Sequence, residues 1–203
     1  MPQETTSTAL KLPTPDKNAP LEKLLFLRKS QRDYKSRPVT LEQLSALCWS
    51  AQGALPGGLR VVPSAGATYP LDLLVVLNQP CAALQPGIYA YLTARHELQL
   101  EQAGKFTKKI VEACWNQMFM AQAPLLLVIT CAPERITPRY GERSRRYIDM
   151  EAGHAGQNVA LMAAQLGLGT VMVGAFDDAA LAKVFALPKG QQVVYLFPIG
   201  EPA

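Results

Sequence analysis

Arg28-Lys29-Ser30-Gln31-Arg32 puts three cations and a hydroxyl into five residues, directly after the helically spaced Leu21, Leu24, Leu25 and Leu27. Such a cluster can clamp a phosphate by charge-assisted hydrogen bonds. A solvated basic helix end would carry the same residues, because cations there complement the helix dipole. A second stretch, Val62-Pro63-Ser64-Ala65-Gly66-Ala67-Thr68-Tyr69-Pro70, has small residues that let a backbone approach a planar ligand, and Ser64 adds a hydroxyl. An ordinary loop before a strand fits it equally. Val173-Gly174-Ala175-Phe176-Asp177-Asp178 marks a strand-to-helix junction, where outward-pointing N–H groups favour electron-rich acceptors; a plain connection with Asp178 as N-cap is the simpler reading.

Other chemistries find less support. The nucleophile-elbow pattern G-x-S-x-G is missing, and Gly167-Leu168-Gly169 lacks the third glycine and the preceding strand of a dinucleotide fingerprint. Cys48, Cys81, Cys114 and Cys131 form no C-x-x-C pair, so they read as reduced structural thiols, and with only His96 and His154 no metal site is expected. His154 and Asn158 share a helix face, either towards a cofactor or as a core polar pair. Trp115, Met118, Phe119 and Met120 could wall a substrate pocket or belong to core or interface.

These residues need elements to position them. Thr40 and Gln43 form a capping-box pattern for a helix with Leu41, Leu44, Leu47 and Cys48 on its apolar face, ending near Gly53. Leu71–Leu77 reads as a buried strand, and 87–92 with 97–100 as a hairpin turning near Ala94. Helices are expected over 107–121, 150–166 and 178–185, the second Ala-rich and buried on most sides. Strands are expected over 125–131, 170–173 and 192–197. Helices and strands alternate while hairpins also occur, which argues α+β rather than a doubly wound sheet.

The 203 residues, 49% hydrophobic and 18% charged, suit one domain over 21–203 preceded by a polar, proline-dotted tail or arm over 1–20. No apolar run reaches the roughly 18 residues of a membrane span, and no signal core precedes the domain, so a cytoplasmic protein without a membrane partner is expected. A net charge of +4 suits an anionic small ligand as well as nucleic acid, but the mixed acids and absence of a nucleic-acid motif count against the latter.

Taken together and in order, the stretches resemble the nitroreductase family, in particular its SagB-type dehydrogenase branch of thiazole- and oxazole-forming oxidases. The resemblance rests on Arg28-x-Ser30-x-Arg32, Pro63-Ser64-Ala65-Gly66-Ala67-x-Tyr69-Pro70, Pro86-Gly87-x-Tyr89-x-Tyr91, Tyr140-Gly141-Glu142-Arg143, Glu151-Ala152-Gly153-His154-Ala155-Gly156-Gln157-Asn158 and Gly174-Ala175-Phe176-Asp177-Asp178, spread over about residues 21–200. It implies a mostly antiparallel central sheet surrounded by helices, with FMN bound at a homodimer interface. By position, Arg28, Lys29 and Ser30 would hold the phosphate and Arg32 would lie towards the ribityl chain or pyrimidine edge. Pro63, Ser64, Ala65 and Gly66 would come from the other subunit and line the ring, while the backbone at Gly174 and Ala175 would face flavin N5, with Val173 also binding the cofactor and Phe176 packed behind it. The chain stops where many relatives continue with phosphate-binding basic residues; among Arg135, Arg139, Arg143, Arg145 and Arg146, the last, or Arg143, would compensate, or the group is a solvated face. Ala67 stands where many relatives carry asparagine. No catalytic side chain is implied, because the flavin carries the chemistry. The implied activity is ping-pong hydride passage between NAD(P)H or an organic donor and a nitroaromatic, quinone or similar acceptor. Azoline-to-azole dehydrogenation with a partner enzyme, or flavin binding and storage without turnover, are the alternatives. Helices near Leu44 and Trp115 are the expected dimer material.

Overall fold

The computed structural model describes residues 7–11 and 21–203. The elements are β1 (Ser7–Ala9), α1 (Leu21–Leu27), α2 (Leu41–Gln52), β2 (Leu71–Leu77), β3 (Gly87–Leu92), β4 (Glu97–Ala103), α3 (Thr107–Ala113), β5 (Leu125–Cys131), α4 (Thr137–Tyr140), α5 (Ser144–Gln165), β6 (Gly169–Thr170), α6 (Asp178–Val184) and β7 (Gln192–Gly200). The strands form one antiparallel sheet in the order β1-β4-β3-β2-β5-β7-β6, so the α+β expectation holds. The one strand outside that expectation is β1, which pairs Ser7 with Gln99 and Ala9 with Glu97; the rest of the expected tail, 1–6 and 12–20, lies outside the described residues.

Strand β5 explains the layering. All seven of its residues are buried, because alternate side chains enter two different cores. Leu125, Leu127 and Ile129 join α2 and α5 on one face; Leu126 and Val128 join α3 and α6 on the other. Helix α5 comes so close to the sheet at Gly156 that an added Cβ would meet the Phe197 ring at 3.2 Å. No helix among the described residues is long and apolar enough to cross a membrane. All four cysteines are buried and free.

The capping box on α2 forms as expected, with Gln43 N–H donating to Thr40 Oγ1 at 3.2 Å and Thr40 N–H to Gln43 Oε1 at 2.9 Å. Several boundaries differ from expectation. The helix expected over 107–121 stops at Ala113, where Trp115 and Asn116 adopt φ of +55° and +57° and the Asn116 amide bonds back to Val111 O. Helix α5 starts six residues before the expected 150, since its charged first turns are stabilised on the solvent side by the Arg145–Asp149 pair at 3.0 Å. It is also buried along one stripe only, with Met150, Gly153 and His154 outside. The strand expected over 170–173 pairs regularly only at Gly169–Thr170, with Val173 bridged singly to Leu196. Asp177, not Asp178, caps α6, accepting from Ala180 N at 2.9 Å. Leu44 is fully buried within this chain, so it is core rather than dimer material, whereas Trp115 is 65% exposed.

Candidate functional site

Two groups of the expected residues are linked through the connection between α3 and β5. After α1, the chain runs beside β6, with Ser30 bridged to Thr170 and Gln31 N–H donating to Thr170 O at 2.9 Å. Tyr34 anchors this segment from behind, its hydroxyl on Gln31 O and Pro198 O. A cleft of about 200 Å³ opens there, lined by Arg28, Lys29, Gln31, Ala160, Ala164 and Thr170. Thr170 Oγ1 is buried with no hydrogen-bond partner among the described residues. Arg28, Lys29 and Arg32 form no ion pair with a described carboxylate. Unneutralised cations beside an unused hydroxyl suit an anion.

The Gly174 junction follows Thr170 along the same edge of the sheet. Val173 is fastened to Leu196 by two backbone bonds, 2.8 and 3.0 Å, and Asp177 N–H donates to Ala113 O at 2.8 Å. Between these fixed points Gly174 and Ala175 are exposed, and their N–H groups donate to nothing among the described residues. Gln117 Nε2 donates to Ala175 O at 2.9 Å, and the Arg32 guanidinium stands 5.8 Å from the Phe119 ring. The connection between α3 and β5 therefore links Arg32 to the Gly174 junction. Sequence reasoning missed Gln117; the available signal was Trp115-Asn116-Gln117 interrupting an apolar helical pattern.

The Pro63–Gly66 loop lies elsewhere. Ser64 Oγ accepts from Tyr69 N–H at 2.9 Å, Arg139 Nη1 donates to Gly66 O at 3.0 Å, and Arg60 stacks on Tyr69 at 4.8 Å. Gly66 has φ +60°, and a Cβ there would fall 2.5 Å from Arg139 Nη1. Beneath the loop is Glu151, near the start of α5, whereas the Arg28 cleft touches Ala160 and Ala164 near its end. At 1.5 Å per residue these points are about 14–20 Å apart along the helix. Arg146, exposed in the first turn of α5, belongs to the loop's end and cannot approach the Arg28 of its own chain.

The arginine group divides by partner. Arg135 is bidentate on Asp72, both contacts 2.7 Å; Arg139 holds Gly66 O; Arg145 holds Asp149 and Gln192. Arg143 and Arg146 bond to nothing among the described residues. His154 faces outward, while Asn158 Nδ2 donates to Ser50 O at 3.3 Å and ties α5 to α2, so the two do not act together.

Comparison with known proteins gives the family. The family model described as the nitroreductase family matches residues 26–201. A nitroreductase-type protein of Methanocaldococcus jannaschii is 40% identical over 182 residues, covering 89% of this chain and 90% of its own. The crystal structure of a nitroreductase-type protein of Ralstonia eutropha superposes with a TM-score of 0.82 at 30% identity, over 96% of this chain and 89% of that one. The trifolitoxin-processing protein TfxB of Rhizobium leguminosarum is 34% identical over 113 residues, 54% of this chain and 30% of its own. With the family model spanning most of its length, the chain belongs to the nitroreductase family of oxidoreductases.

Proposed function

We propose that this chain is an FMN-dependent oxidoreductase whose cofactor cleft is completed by a second copy of itself. The observation carrying the reading is the separation of the expected site into two parts at opposite ends of α5. One part has free cations, an unused hydroxyl and two unpaired amides; the other has the small-residue loop. A two-fold axis that sets α5 helices against each other would bring one chain's loop to the partner's cleft. Helix α1 supports this, since none of its residues is buried, Phe26 being 90% exposed and Leu21, Leu25 and Leu27 about half exposed. So apolar a helix is stabilised by covering it.

In this reading Arg28, Lys29 and Ser30 hold the phosphate, with Thr170 Oγ1 as a further donor, and Arg32 lies over the ribityl or pyrimidine side. The Gly174 and Ala175 amides, aimed from the end of a fixed strand at Val173, orient the ring edge. Pro63, Ser64, Ala65 and Gly66 close the ring from the partner, and Arg146, at the loop's end of α5, arrives at the phosphate the same way. Bound FMN supplies hydride acceptance and release between NAD(P)H or an organic donor and a nitroaromatic, quinone or similar acceptor. The chain's own part is binding, orientation and charge stabilisation near the pyrimidine edge. Azoline dehydrogenation on a peptide, with a partner enzyme, is the second reading; the partial similarity to a toxin-processing protein favours it.

Purified protein tests this. Heat-released flavin should run as FMN, sedimentation should give twice the 22.1 kDa chain mass, and NAD(P)H should bleach the yellow colour. Release of FAD, or a flavin-loaded monomer, would overturn the shared FMN site, and stable colour in the presence of NAD(P)H would leave only binding. Turnover of nitroaromatics and quinones against an azoline peptide separates the two enzymatic readings.

A further inference from the structure

Glu151 is 2% exposed, and neither of its carboxyl oxygens has a hydrogen-bond partner among the described residues. A buried carboxylate left in that state is strongly penalised, so the group either keeps its proton or pulls in a partner. Burial pushes it up to about 7, against smaller opposite effects from the nearby Ser64 hydroxyl and the Arg60 charge. Around it, Gln52 is 1% exposed with its Nε2 unpartnered, and its Oε1 accepts from Arg60 Nη1 at 2.7 Å. Arg60 Nη1 also donates to Leu71 O at 2.9 Å, and its backbone N–H to the Tyr69 hydroxyl at 3.2 Å. Of the remaining charges in this neighbourhood, Asp72 of β2 and Arg135 beyond β5 are bound to each other, and Arg139 is bonded to Gly66 O. Arg60 is thus the charge that acts on Glu151.

The loop above is poised to respond. Gly66, Ala67 and Tyr69 have φ of +60°, +52° and +46°, and for Ala67 and Tyr69 that left-handed backbone is strained. What holds it includes the Tyr69 N–H bond to Ser64 Oγ, the Arg139 bond to Gly66 O and the stacking of Arg60 on Tyr69. One of these three passes through Arg60, the charge an ionised Glu151 attracts, while Ser64 Oγ goes on accepting from Tyr69 N–H whichever way its own proton points.

We infer that Glu151 is a positioning residue for the Pro63–Gly66 loop: uncharged, it leaves the loop closed on Arg60 and Tyr69, and its ionisation draws Arg60 away from Tyr69 and loosens it, while the Ser64 proton turns inward. With Glu151 neutral, the Ser64 O–H is free to donate outwards. Ionised Glu151 claims that proton and leaves a ligand on the far side facing only the hydroxyl oxygen. The consequence for cofactor affinity rests on the proposed shared site; the loop switch itself does not.

Amide hydrogen exchange at Thr68 and Tyr69 of the cofactor-free protein, corrected for intrinsic rates, tests it between about pH 5.5 and 8.5. Protection should fall at least about tenfold, the effect of one pKa unit, as pH rises towards 7, and level off above it. Glu151→Gln should keep the loop protected throughout. A flat profile in the unmodified chain, or an unchanged transition in Glu151→Gln, overturns the inference. Should the variant not fold, carboxyl-carbon NMR of the unmodified chain decides, since one glutamate must titrate near 7 together with the exchange change. FMN titration by fluorescence over the same range separates the two readings. A loop switch without FMN binding sinks the flavin proposal alone, whereas tight FMN binding above a loop indifferent to pH sinks the Glu151 inference alone.

Discussion

His96 and Glu151 are both ionisable and both buried, 7% and 2% exposed, yet their surroundings are opposite. His96 Nδ1 lies 2.7 Å from the Tyr91 hydroxyl and Nε2 lies 2.8 Å from Ser45 Oγ, which is in turn bonded to Lys11 O. A carbonyl only accepts, so the Ser45 hydroxyl must donate to Lys11. Nε2–H must then donate to Ser45, and the Tyr91 O–H to Nδ1. Every hydrogen has one place, and the neutral Nε2–H tautomer is the one that satisfies the chain. Next to it, Leu10 N–H donates to His96 O at 2.8 Å, so this network clasps the segment following β1 to the body. Glu151 has no such assignment. A buried polar group with complete bonding fixes a structure, whereas one without is left for a change of state.

Breaking the complete network should have the larger effect. His96→Ala orphans the Tyr91 hydroxyl, at about 1–3 kcal/mol, and empties the ring's place in the core, while Ser45 keeps Lys11 O, so chemical denaturation should show a loss of at least about 1–3 kcal/mol. A loss below about 1 kcal/mol would mean that the network carries no stability. In the unmodified chain the His96 pKa is held below 6.5 by burial, so the unfolded state takes up the proton first and stability falls as pH drops below 6.5.

Glu151 gives the opposite slope. Its folded pKa of about 7 lies above the ordinary 4.5, so the folded state holds the extra proton between those values and stability falls as pH rises through that window. Glu151→Gln should change nothing below pH 4.5 and stabilise by no more than about 3 kcal/mol above pH 7, from 1.36 kcal/mol per unit. Denaturation midpoints of the two variants across pH should separate the slopes. The histidine variant keeps the decline with rising pH, and the glutamine variant keeps the decline in acid. If either variant retains both slopes, the assignment of that slope is wrong.

Much of the fold was legible where local chemistry decides it, as in the Thr40–Gln43 capping box, the apolar run of β5 and the 87–92 hairpin strand. It was not legible where the chain bends against its own propensities. Trp115 at φ +55° ends α3 after seven residues, although the apolar pattern continues. The three stretches of the site stood out by residue type, but their division between the two ends of α5 is a property of topology that no local pattern carries. Glu151 was visible only as a letter in a family-like run. Its significance comes from the absence of partners, which only packing reveals.

A change at the far end of α5 supplies the sharpest control for the contrast between His96 and Glu151. Arg28 is half-buried beside Thr170, without an ion pair among the described residues, and neither buried network touches it. Arg28→Ala should therefore leave both pH slopes of stability in place. Its effect should fall on FMN, weakening binding by roughly 1.5–3 kcal/mol, the scale of a hydrogen bond to a charged group. Fluorescence titration at about pH 8, where the flavin phosphate is fully ionised, measures this. Any dependence of affinity on pH that remains in Arg28→Ala beyond the phosphate's own ionisation near about pH 6 then belongs to the loop end and should vanish in the double variant with Glu151→Gln. Unchanged FMN affinity in Arg28→Ala would remove the phosphate from this cleft, and an altered pH slope of stability would show that the two ends of α5 are coupled within one chain.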